Sequence, residues 1–348
     1  MATHRNSSSG SARRATLADV AEAAGVHTSL VSRVLRDDPR GFASAQTRAR
    51  ILEAAHDLGY RPNASAQGLR SSRTMTLGLL LPGFTSPLYS SIAHGVEETA
   101  AANGYGLVLG THAAGDPHET ITNMLMHGRV DAMLVASGRI EDNALRQLAS
   151  RAPSRVVLLN RQVRSVNASV ILRDSDAALL AVQHLVELGH THIGGVFGPP
   201  TLDTMVRRMK GFRAALRSAG LTPVTAAEQG RDYQAGYHGA SKLMSATHPP
   251  SALVTATFPM GIGALAAMRD LGRRVPDQVS IITIHNDQLA DFLTPPLTAV
   301  ALPAVELGTQ AVNLAIDMAS GGRARRIVVP DEPVLVPRSS TDHPPPAE

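Results

Sequence analysis

The strongest constraint on the fold is the alternation of short apolar runs with helical stretches, which begins near Met75 and continues through most of the chain. The first set of predicted strands comprises Thr76–Leu81, Gly106–Gly110, Ala132–Ala136, Val156–Leu159 and Ser169–Leu172, and the helices among them are Leu88–Asn103, Glu119–His127 and Asp142–Arg151. After a helix over Asp174–Leu188, the second set comprises Ile193–Phe197, Arg207–Ala219, Tyr233–Ala246, Ala252–Thr255, Met260–Gly272 and Ser280–Ile284. Strands that alternate with helices are typical of parallel βαβ units. The two sets therefore predict an α/β core of two similar, doubly wound lobes with a cleft between them.

The basic charge is concentrated at the amino-terminal end of the 348-residue chain. Residues 1–75 carry eleven Arg, no Lys and six acidic side chains, for a net charge of +5. Residues 76–348 carry 22 basic and 23 acidic side chains, for a net charge of −1. This distribution favours a nucleic-acid-binding head on a nearly neutral body. The absence of cysteine excludes a disulfide scaffold, a thiol nucleophile and a cysteine-ligated metal site.

No segment has the pattern of an export signal or a membrane span. Residues 1–14 are polar and rich in Ser, which predicts a disordered basic arm and not a signal peptide. The longest uncharged stretch, Leu243–Met268, is interrupted by Pro249, Pro250 and Pro259, which argues against a transmembrane helix. We therefore expect a soluble, cytoplasmic protein that has no membrane partner.

Residues 15–60 predict a helical head. Thr16 can cap a first helix whose buried stripe is formed by Leu17, Val20, Ala21 and Ala24. Gly25 ends that helix, and a second is expected over about Thr28–Leu35. A third, over about Ser44–Leu58, is expected to complete a small core with Ile51, Leu52, Ala55 and Leu58. Two short helices joined by a tight turn that contains Gly predict a helix-turn-helix.

The outward face of the second helix favours DNA binding over the alternative of a plain helical bundle. Its outward residues are Thr28, Ser29, Ser32, Arg33 and Arg36. Short polar side chains at the start of such a helix are suited to base edges in the major groove. Together with the arginine excess, they predict a DNA-binding head.

Several motifs of this head resemble those of the lactose/galactose repressor family, LacI/GalR. The motifs are ATLADVAEAAGV at 15–26, VSRVL at 31–35, Thr47-Arg48 and LGYRPN at 58–63, and the similarity continues to about Thr341. The resemblance implies a homodimeric transcriptional regulator whose two heads bind the half-sites of a pseudo-palindromic operator in double-stranded DNA. A repressor is favoured over an activator.

The resemblance also assigns roles within the head. Thr28, Ser29 and Arg33 are expected to reach base edges, since a guanidinium suits the acceptors of guanine. The residues expected to position the head on the DNA backbone are Ser32, Thr47 and Arg48, with Thr16 in the same DNA-contacting set. Leu30 and Arg36 depart from the Thr and Asn that family members usually have, so Leu30 is not included among the expected contacts.

Residues 61–74 resemble the family's hinge helix and linker. That helix forms when two subunits meet over the operator, and here Asn63, Ala66 and Leu69 are the expected DNA contacts. Leu69 is expected to insert between base steps in the minor groove. Gly68 costs a helix about 1 kcal/mol relative to Ala, and composition alone favours an ordinary linker.

For the core, the resemblance implies a fold like that of periplasmic sugar-binding proteins. The first lobe is expected over about 75–172 and 303–333, and the second over about 173–302 and 334–338. The chain is expected to cross between them near Leu172, Leu302 and Val334. A disordered tail is expected at 339–348.

Ligands of such sheets bind beyond the carboxyl ends of the strands, which selects a set of expected effector contacts. From the first lobe these are Thr85, Leu88, Tyr89, Asn160 and Arg161, and from the second Thr204, Arg208, Tyr233, Thr257, Phe258 and Asn286. Sugar-binding members commonly have carboxylates where Asn160 and Asn286 stand, and Asn-Asp where Thr257-Phe258 stands. We therefore expect a sugar-related effector that is less rich in hydroxyls than a hexose, either anionic or partly apolar. A regulator without an effector, or a small-molecule binding protein, is the alternative.

Two enzyme-like signals have simpler explanations. Gly261-Ile-Gly263-Ala-Leu-Ala266 fits a dinucleotide fingerprint, but it lies deep in the second lobe, where small residues serve close packing. His184, His190 and His192 have no carboxylate at metal-ligand spacing. We therefore expect no cofactor, no metal and no catalytic residue. The rival classes are a transport component, which leaves the head unexplained, and a nucleotide-dependent enzyme.

Overall fold

The computed structural model describes residues 15–35, 43–60, 73–83, 86–111, 117–136, 140–152 and 154–345. They belong to two compact units, a head that ends at Arg73 and a core that begins at Thr74. Within these ranges no helix has both the length and the apolar character needed to cross a membrane. The expected arm at 1–14 and the hinge contacts Asn63, Ala66 and Leu69 lie outside the described residues.

The head contains the three expected helices, α1 (Leu17–Ala23), α2 (Thr28–Val34) and α3 (Ala45–Asp57). Their core is formed by Val20, Ala21, Ala24, Val31, Val34, Ile51 and Ala55. Leu52 and Leu58 were expected in this core, but they are 47% and 40% exposed. Leu52 lies about 100° around the helix from Ile51, and the chain leaves the helix axis after Leu58 at Gly59, so that Tyr60 packs against the core instead.

The first lobe of the core is built on a six-stranded parallel sheet. Its elements are β1 (Thr76–Leu81), α4 (Pro87–Ala102), β2 (Gly106–Thr111), α5 (Pro117–Met126), β3 (Ala132–Val135), α6 (Asp142–Arg151), β4 (Val156–Leu159), β5 (Ser169–Ile171), α11 (Ala304–Ala319) and β11 (Arg326–Val328). The strand order is β11-β5-β4-β3-β1-β2. The buried carboxylate of Asp131 accepts hydrogen bonds from the backbone of Thr74 (2.6 Å) and Met75 (3.0 Å), which fixes the start of β1. Thr74, which was expected in the linker, therefore belongs to the core.

The second lobe repeats this plan. Its elements are α7 (Asp174–Glu187), β6 (Ile193–Phe197), α8 (Asp203–Ser218), β7 (Val224–Ala227), α9 (Tyr233–Met244), β8 (Ala252–Thr255), α10 (Phe258–Asp270), β9 (Ser280–Ile284), a 3-10 turn (Gln288–Phe292), β10 (Thr298–Ala301) and β12 (Val334–Val336). The strand order is β12-β10-β9-β8-β6-β7, in which only β12 runs antiparallel to its neighbour. The chain passes between the two sheets after β5, after β10 and between β11 and β12.

The strands with continuous apolar runs were the easiest to predict. β3, β4, β6, β8 and β9 are fully buried, as expected for parallel strands covered by helices on both faces. The edge strand β7, the short β10–β12 and helix α11 were not predicted, and α8 begins one turn earlier than expected. Arg326 begins β11 and pairs with Ser169.

Glycine brings three pairs of helices into close contact. A Cβ atom on Gly95 would collide with the backbone of Val305, where α4 crosses α11. Gly211 meets the backbone of Ser175 in the same way, and Gly263 meets that of Tyr233, between α10 and α9. Gly261 lies against side chains of the sheet. The Gly261–Gly263 motif therefore serves close packing, as the sequence favoured.

The expected disorder of the tail is wrong for residues 339–345. The Ser340 side chain is fully buried, donates to the Ile281 carbonyl (2.6 Å) and accepts from the Thr298 amide (2.8 Å). The Asp342 carbonyl accepts from the Ser280 hydroxyl (3.0 Å). These polar groups follow β12 and satisfy buried polar groups of β9 and β10 in the second sheet. Residues 346–348 lie outside the described range.

Candidate functional site

The first helix of the head is held by a reciprocal capping interaction. The Thr16 hydroxyl and backbone amide donate to Asp19 Oδ2 at 2.8 and 2.7 Å, and the Asp19 amide donates back to the Thr16 hydroxyl at 3.3 Å. Such a capping box satisfies backbone donors that the first helical turn leaves open. Thr16, an expected DNA contact, thus has a clear structural role as the N-cap.

The second helix begins at a histidine cap that the sequence analysis overlooked. His27 Nδ1 accepts from the Ser29 amide (3.3 Å) and lies 2.9 Å from the Ser29 hydroxyl. His27 therefore both caps α2 and orients a side chain expected to contact bases. His27 could have been identified as a cap from its position directly before the first helical residue, although Ser, Thr, Asp and Asn are the commoner caps.

The outer face of α2 presents the expected DNA-contacting residues. Ser29 and Arg33 are exposed, whereas Thr28 and Ser32 are half-buried. At the start of α3, the Thr47 hydroxyl lies 2.9 Å from the Ser44 hydroxyl, and Arg48 is exposed. The head thus displays short hydroxyl side chains and arginines together on a compact helical scaffold, as DNA recognition by a helix-turn-helix requires.

A cavity of about 420 Å³ lies between the two lobes of the core. Its first-lobe walls follow β1, β3 and β4, and its second-lobe walls follow β6, β7 and β8. These are the carboxyl ends of parallel strands, where α/β sheets bind ligands. The volume lies within the range of roughly 300 to 1,000 Å³ that is typical of small-molecule sites.

Most of the expected effector contacts line this cavity. They are Leu88, Tyr89, Asn160, Arg161, Thr204, Arg208, Tyr233 and Thr257. Phe258 does not line the cavity, because its ring is only 1% exposed and packs into the hydrophobic core. Asn286 does not line it either, and its side-chain oxygen accepts from Arg338 Nη1 at 2.9 Å. Thr85 lies outside the described residues.

A buried ion cluster forms the floor of the second lobe at the cavity. Asp174, which is 1% exposed, accepts from Nε and Nη2 of Arg208 at 2.7 Å. Its other oxygen lies 2.7 Å from Arg207 Nη2. Arg208 also donates to the Ala256 carbonyl. Arg208 therefore reaches the cavity with its charge already neutralised by Asp174.

Three contacts connect the lobes across the cavity. Arg207 Nη2 donates to Asn160 Oδ1 (3.0 Å), and the Gln162 amide donates to Asp203 Oδ2 (3.0 Å). The Arg231 guanidinium lies 5.4 Å from the centre of the Tyr89 ring, within the range of a cation–π interaction. Because each contact joins the two lobes, any ligand that alters their separation must alter these contacts.

His285 lies at the end of β9 with an unusual backbone and an uncharged ring. Its φ is +78° and its side chain is nearly buried. Burial, with the nearby Arg208 charge, lowers its pKa from 6.5 to about 4, although Asp287 opposes the shift. Neither ring nitrogen has a hydrogen-bond partner among the described residues. The ring is thus neutral near pH 7.

No sequence pattern predicted a role at the site for Asp174, Asp203, Arg207 or Arg231. An acidic residue in the first turn of a helix is common, so Asp174 gave no signal beyond an ordinary helix start. His184 and His190, considered above as metal ligands, instead contact the tail at Thr341 and at the Asp342 carbonyl, and His190 also contacts the Ser251 hydroxyl. Within the described ranges, no group of acidic and histidine side chains is arranged to hold a metal ion.

Comparisons with known proteins agree with this organisation. A family model described as bacterial regulatory proteins, lacI family, matches residues 16–63, and a periplasmic binding protein-like domain matches residues 182–341. The ribose operon repressor of Escherichia coli (strain K12) is 31% identical over 332 residues, which cover 94% of this chain and 99% of that protein. The HTH-type transcriptional repressor PurR of Edwardsiella ictaluri (strain 93-146) is 30% identical over 331 residues, which cover 94% and 96%.

Solved structures of similar proteins show the same fold. The lac repressor dimer bound to operator and the anti-inducer ONPF matches with a TM-score of 0.84 at 24% identity, over 95% of this chain and 100% of that one. The transcriptional regulator CelR in complex with cellobiose matches with a TM-score of 0.70 at 29% identity, over 94% and 100%.

The chain has a helix-turn-helix head and a two-lobed α/β core with a cavity between the lobes. This combination defines a DNA-binding transcriptional regulator of the ligand-responsive type. The extent of the matches also identifies the family. The chain belongs to the lacI family of bacterial regulatory proteins.

Proposed function

We propose that this regulator acts in the cytoplasm as a repressor, that it binds a pseudo-palindromic operator as a homodimer, and that a small-molecule effector in the interlobe cavity controls its affinity for DNA. The observation that carries the proposal is the cavity itself, because residues of both lobes line it. A ligand that binds one arrangement of the lobes better than another shifts their equilibrium. The proposal includes no catalytic step.

The head supports sequence-specific DNA binding. We assign base contacts to Thr28, Ser29 and Arg33, and backbone contacts to Ser32 and Arg48. Arg33 and Arg48 are exposed on successive helices of one small unit. The hinge contacts at Asn63, Ala66 and Leu69 are proposed on the family resemblance alone.

Operator affinity measured against salt tests the DNA-binding part. A fluorescence anisotropy titration with an operator selected from a random duplex library should show affinity falling on the order of a hundredfold between about 50 and 200 mM salt, because phosphate contacts release counterions. Arg48→Gln should reduce the steepness of this dependence, whereas Arg33→Gln should relax the selected sequence. A chain that binds no duplex at low salt would refute the proposal.

Thermal stability tests the effector part. The related regulator CelR was solved with cellobiose, and the cavity here has a size that suits a small metabolite. A ligand present at about a hundred times its Kd should stabilise the folded chain by about 2.7 kcal/mol and change operator affinity. If no sugar or sugar-derived metabolite raises Tm while operator binding is intact, the alternative of a regulator without an effector is favoured.

A further inference from the structure

The arginines that line the cavity between the lobes differ in whether a carboxylate neutralises their charge. Arg161 donates to Asp142 at 2.6 Å, and Arg208 pairs with Asp174 at 2.7 Å. Arg231 also lines the cavity, but it forms no ion pair with any described residue. Of the three arginines that line the described walls of the cavity, it is the one whose positive charge is left without a carboxylate.

The acidic side chains of the cavity are already used by other groups. Asp203 accepts from the Gln162 amide at 3.0 Å and lies 3.4 Å from Arg207. Asp232 caps helix α9 by accepting from the Ala235 amide at 3.0 Å. Neither carboxylate forms an ion pair with Arg231 among the described residues, so no direct contact neutralises the Arg231 guanidinium.

The Tyr89 ring positions the Arg231 guanidinium without neutralising it. The guanidinium carbon lies 5.4 Å from the ring centre, and a cation–π contact of this kind leaves the N–H donors of the guanidinium able to bind an acceptor. The Arg231 side chain is half-buried, so its charge is less well solvated than that of a fully exposed arginine.

The surroundings of the cavity floor are also rich in donors. Arg207, next to the lining residues Asn160 and Asp203, has two buried nitrogens, Nε and Nη1, that no described residue satisfies. Buried donors without partners are costly, but Arg207 is not one of the residues that line the cavity. The charge of Arg231, which does line the cavity, is therefore the feature that favours an anionic ligand.

We propose that the cavity binds an anionic metabolite and that Arg231 binds its carboxylate or phosphate group. This inference rests on the proposed function, since it names the chemical class of the effector. Arg231 comes from the second lobe, and the Tyr89 ring that positions it comes from the first, so an oxyanion on Arg231 acts at the boundary between the lobes. The guanidinium forms stronger hydrogen bonds with an oxyanion than with a neutral hydroxyl.

The test is calorimetric titration of the full-length protein with matched compounds: glucose, gluconate and glucose 6-phosphate, then the corresponding galactose and ribose series. A neutral sugar should bind weakly or not at all. At least one acid or phosphate should bind, and its affinity should fall as salt rises. The acid and phosphate arms distinguish a carboxylate from a phosphoryl ligand.

Arg231→Gln should weaken binding of the anion about tenfold to a hundredfold, as loss of a charge-assisted hydrogen bond predicts, and Arg231→Lys should retain part of the affinity. The matched control is Arg269→Gln, which removes an exposed arginine of the same lobe that pairs with Asp270 and should leave binding unchanged. Circular dichroism and Tm of each ligand-free variant verify folding.

The inference is wrong if neutral sugars bind as tightly as their acids and phosphates, if Arg231→Gln binds the anion with unchanged affinity, or if no anion in the series binds. Operator binding without ligand is measured on the same preparations. If the unsubstituted protein binds no operator, the proposed function is wrong. If it binds operator but no anion, only this inference is wrong.

Discussion

Replacing Asp174 by Asn should destabilise the core more than any comparable change at its surface. The substitution keeps the size of the side chain but removes the negative charge that faces Arg207 and Arg208. Three arginine nitrogen contacts to Asp174 measure 2.7 Å, and the Asp174 side chain is fully buried. The neutral amide that replaces this carboxylate would therefore face two guanidinium groups, of which only Arg207 keeps another carboxylate nearby.

The magnitude follows from the burial of both partners. Removing one partner of a buried ion pair costs about 3 to 5 kcal/mol, because the remaining charge stays desolvated. Arg207 retains a second carboxylate, Asp203, at 3.4 Å, whereas Arg208 retains only the carbonyl of Ala256 as a described partner. We therefore expect a loss of about 3 kcal/mol in the free energy of unfolding, or roughly 6 to 12 °C in Tm.

Urea denaturation followed by far-ultraviolet circular dichroism measures this loss, since the chain has no tryptophan to serve as a fluorescent probe. The matched control is Asp277→Asn, which removes a carboxylate that is 60% exposed and pairs with an Arg274 side chain that is 70% exposed. Exposed pairs contribute about 0 to 1 kcal/mol. Unchanged slopes of the transitions would show that the denatured states are comparable.

A second substitution tests the stated cause. Adding Arg208→Met to Asp174→Asn removes the guanidinium that has lost its carboxylate and should recover part of the lost free energy. If Asp174→Asn costs no more than Asp277→Asn, or if the double variant is less stable than Asp174→Asn alone, then desolvated charge does not explain the loss of stability at this cluster.

Three further predictions concern other parts of the chain. Ser340→Ala should cost about 1 to 3 kcal/mol in urea denaturation because it leaves a buried amide unsatisfied, whereas exposed Ser150→Ala should cost almost nothing. The pKa of His285 is lowered to about 4 in the folded chain, so as the pH falls the unfolded chain protonates this imidazole first, and stability should fall between pH 6.5 and 4. Asn tolerates the left-handed backbone, so His285→Asn should reduce that fall. An identical pH profile for the variant would contradict the lowered pKa of His285. His27→Ala should destabilise the head by about 1 kcal/mol and weaken operator binding, whereas His27→Asn retains a cap and should preserve both; equal operator affinities would argue against the cap.

Much of the fold could be predicted because its signals are local. Thr16, Gly25 and the apolar spacing of the first helix determine the start of the helix-turn-helix without reference to the rest of the chain. The apolar strands predicted the two-sheet core for the same reason. Edge strands such as Val224–Ala227 and Arg326–Val328 were missed because they are only partly buried and lack the continuous apolar run of the central strands.

The cavity could be predicted only in part. The family resemblance predicted that Tyr89, Asn160 and Arg208 contact the effector, and these three residues do line the cavity. It also selected Phe258, but this residue begins helix α10 and its ring packs into the core, while its neighbour Thr257 faces the cavity. A shift of one residue beyond a strand end turns a side chain away from the cavity, and no sequence pattern predicts that orientation.

The sequence by itself determined the kind of protein: a basic helix-turn-helix head, a near-neutral core of two βα sets, and membership of a family of regulators. Tertiary structure alone decided the electrostatics of the cavity. Whether an arginine is neutralised depends on which carboxylate the folded sheets bring within a few ångströms of it, and those partners come from distant parts of the chain. Asp174 neutralises Arg208, and Tyr89 of the other lobe positions Arg231 while leaving its charge intact.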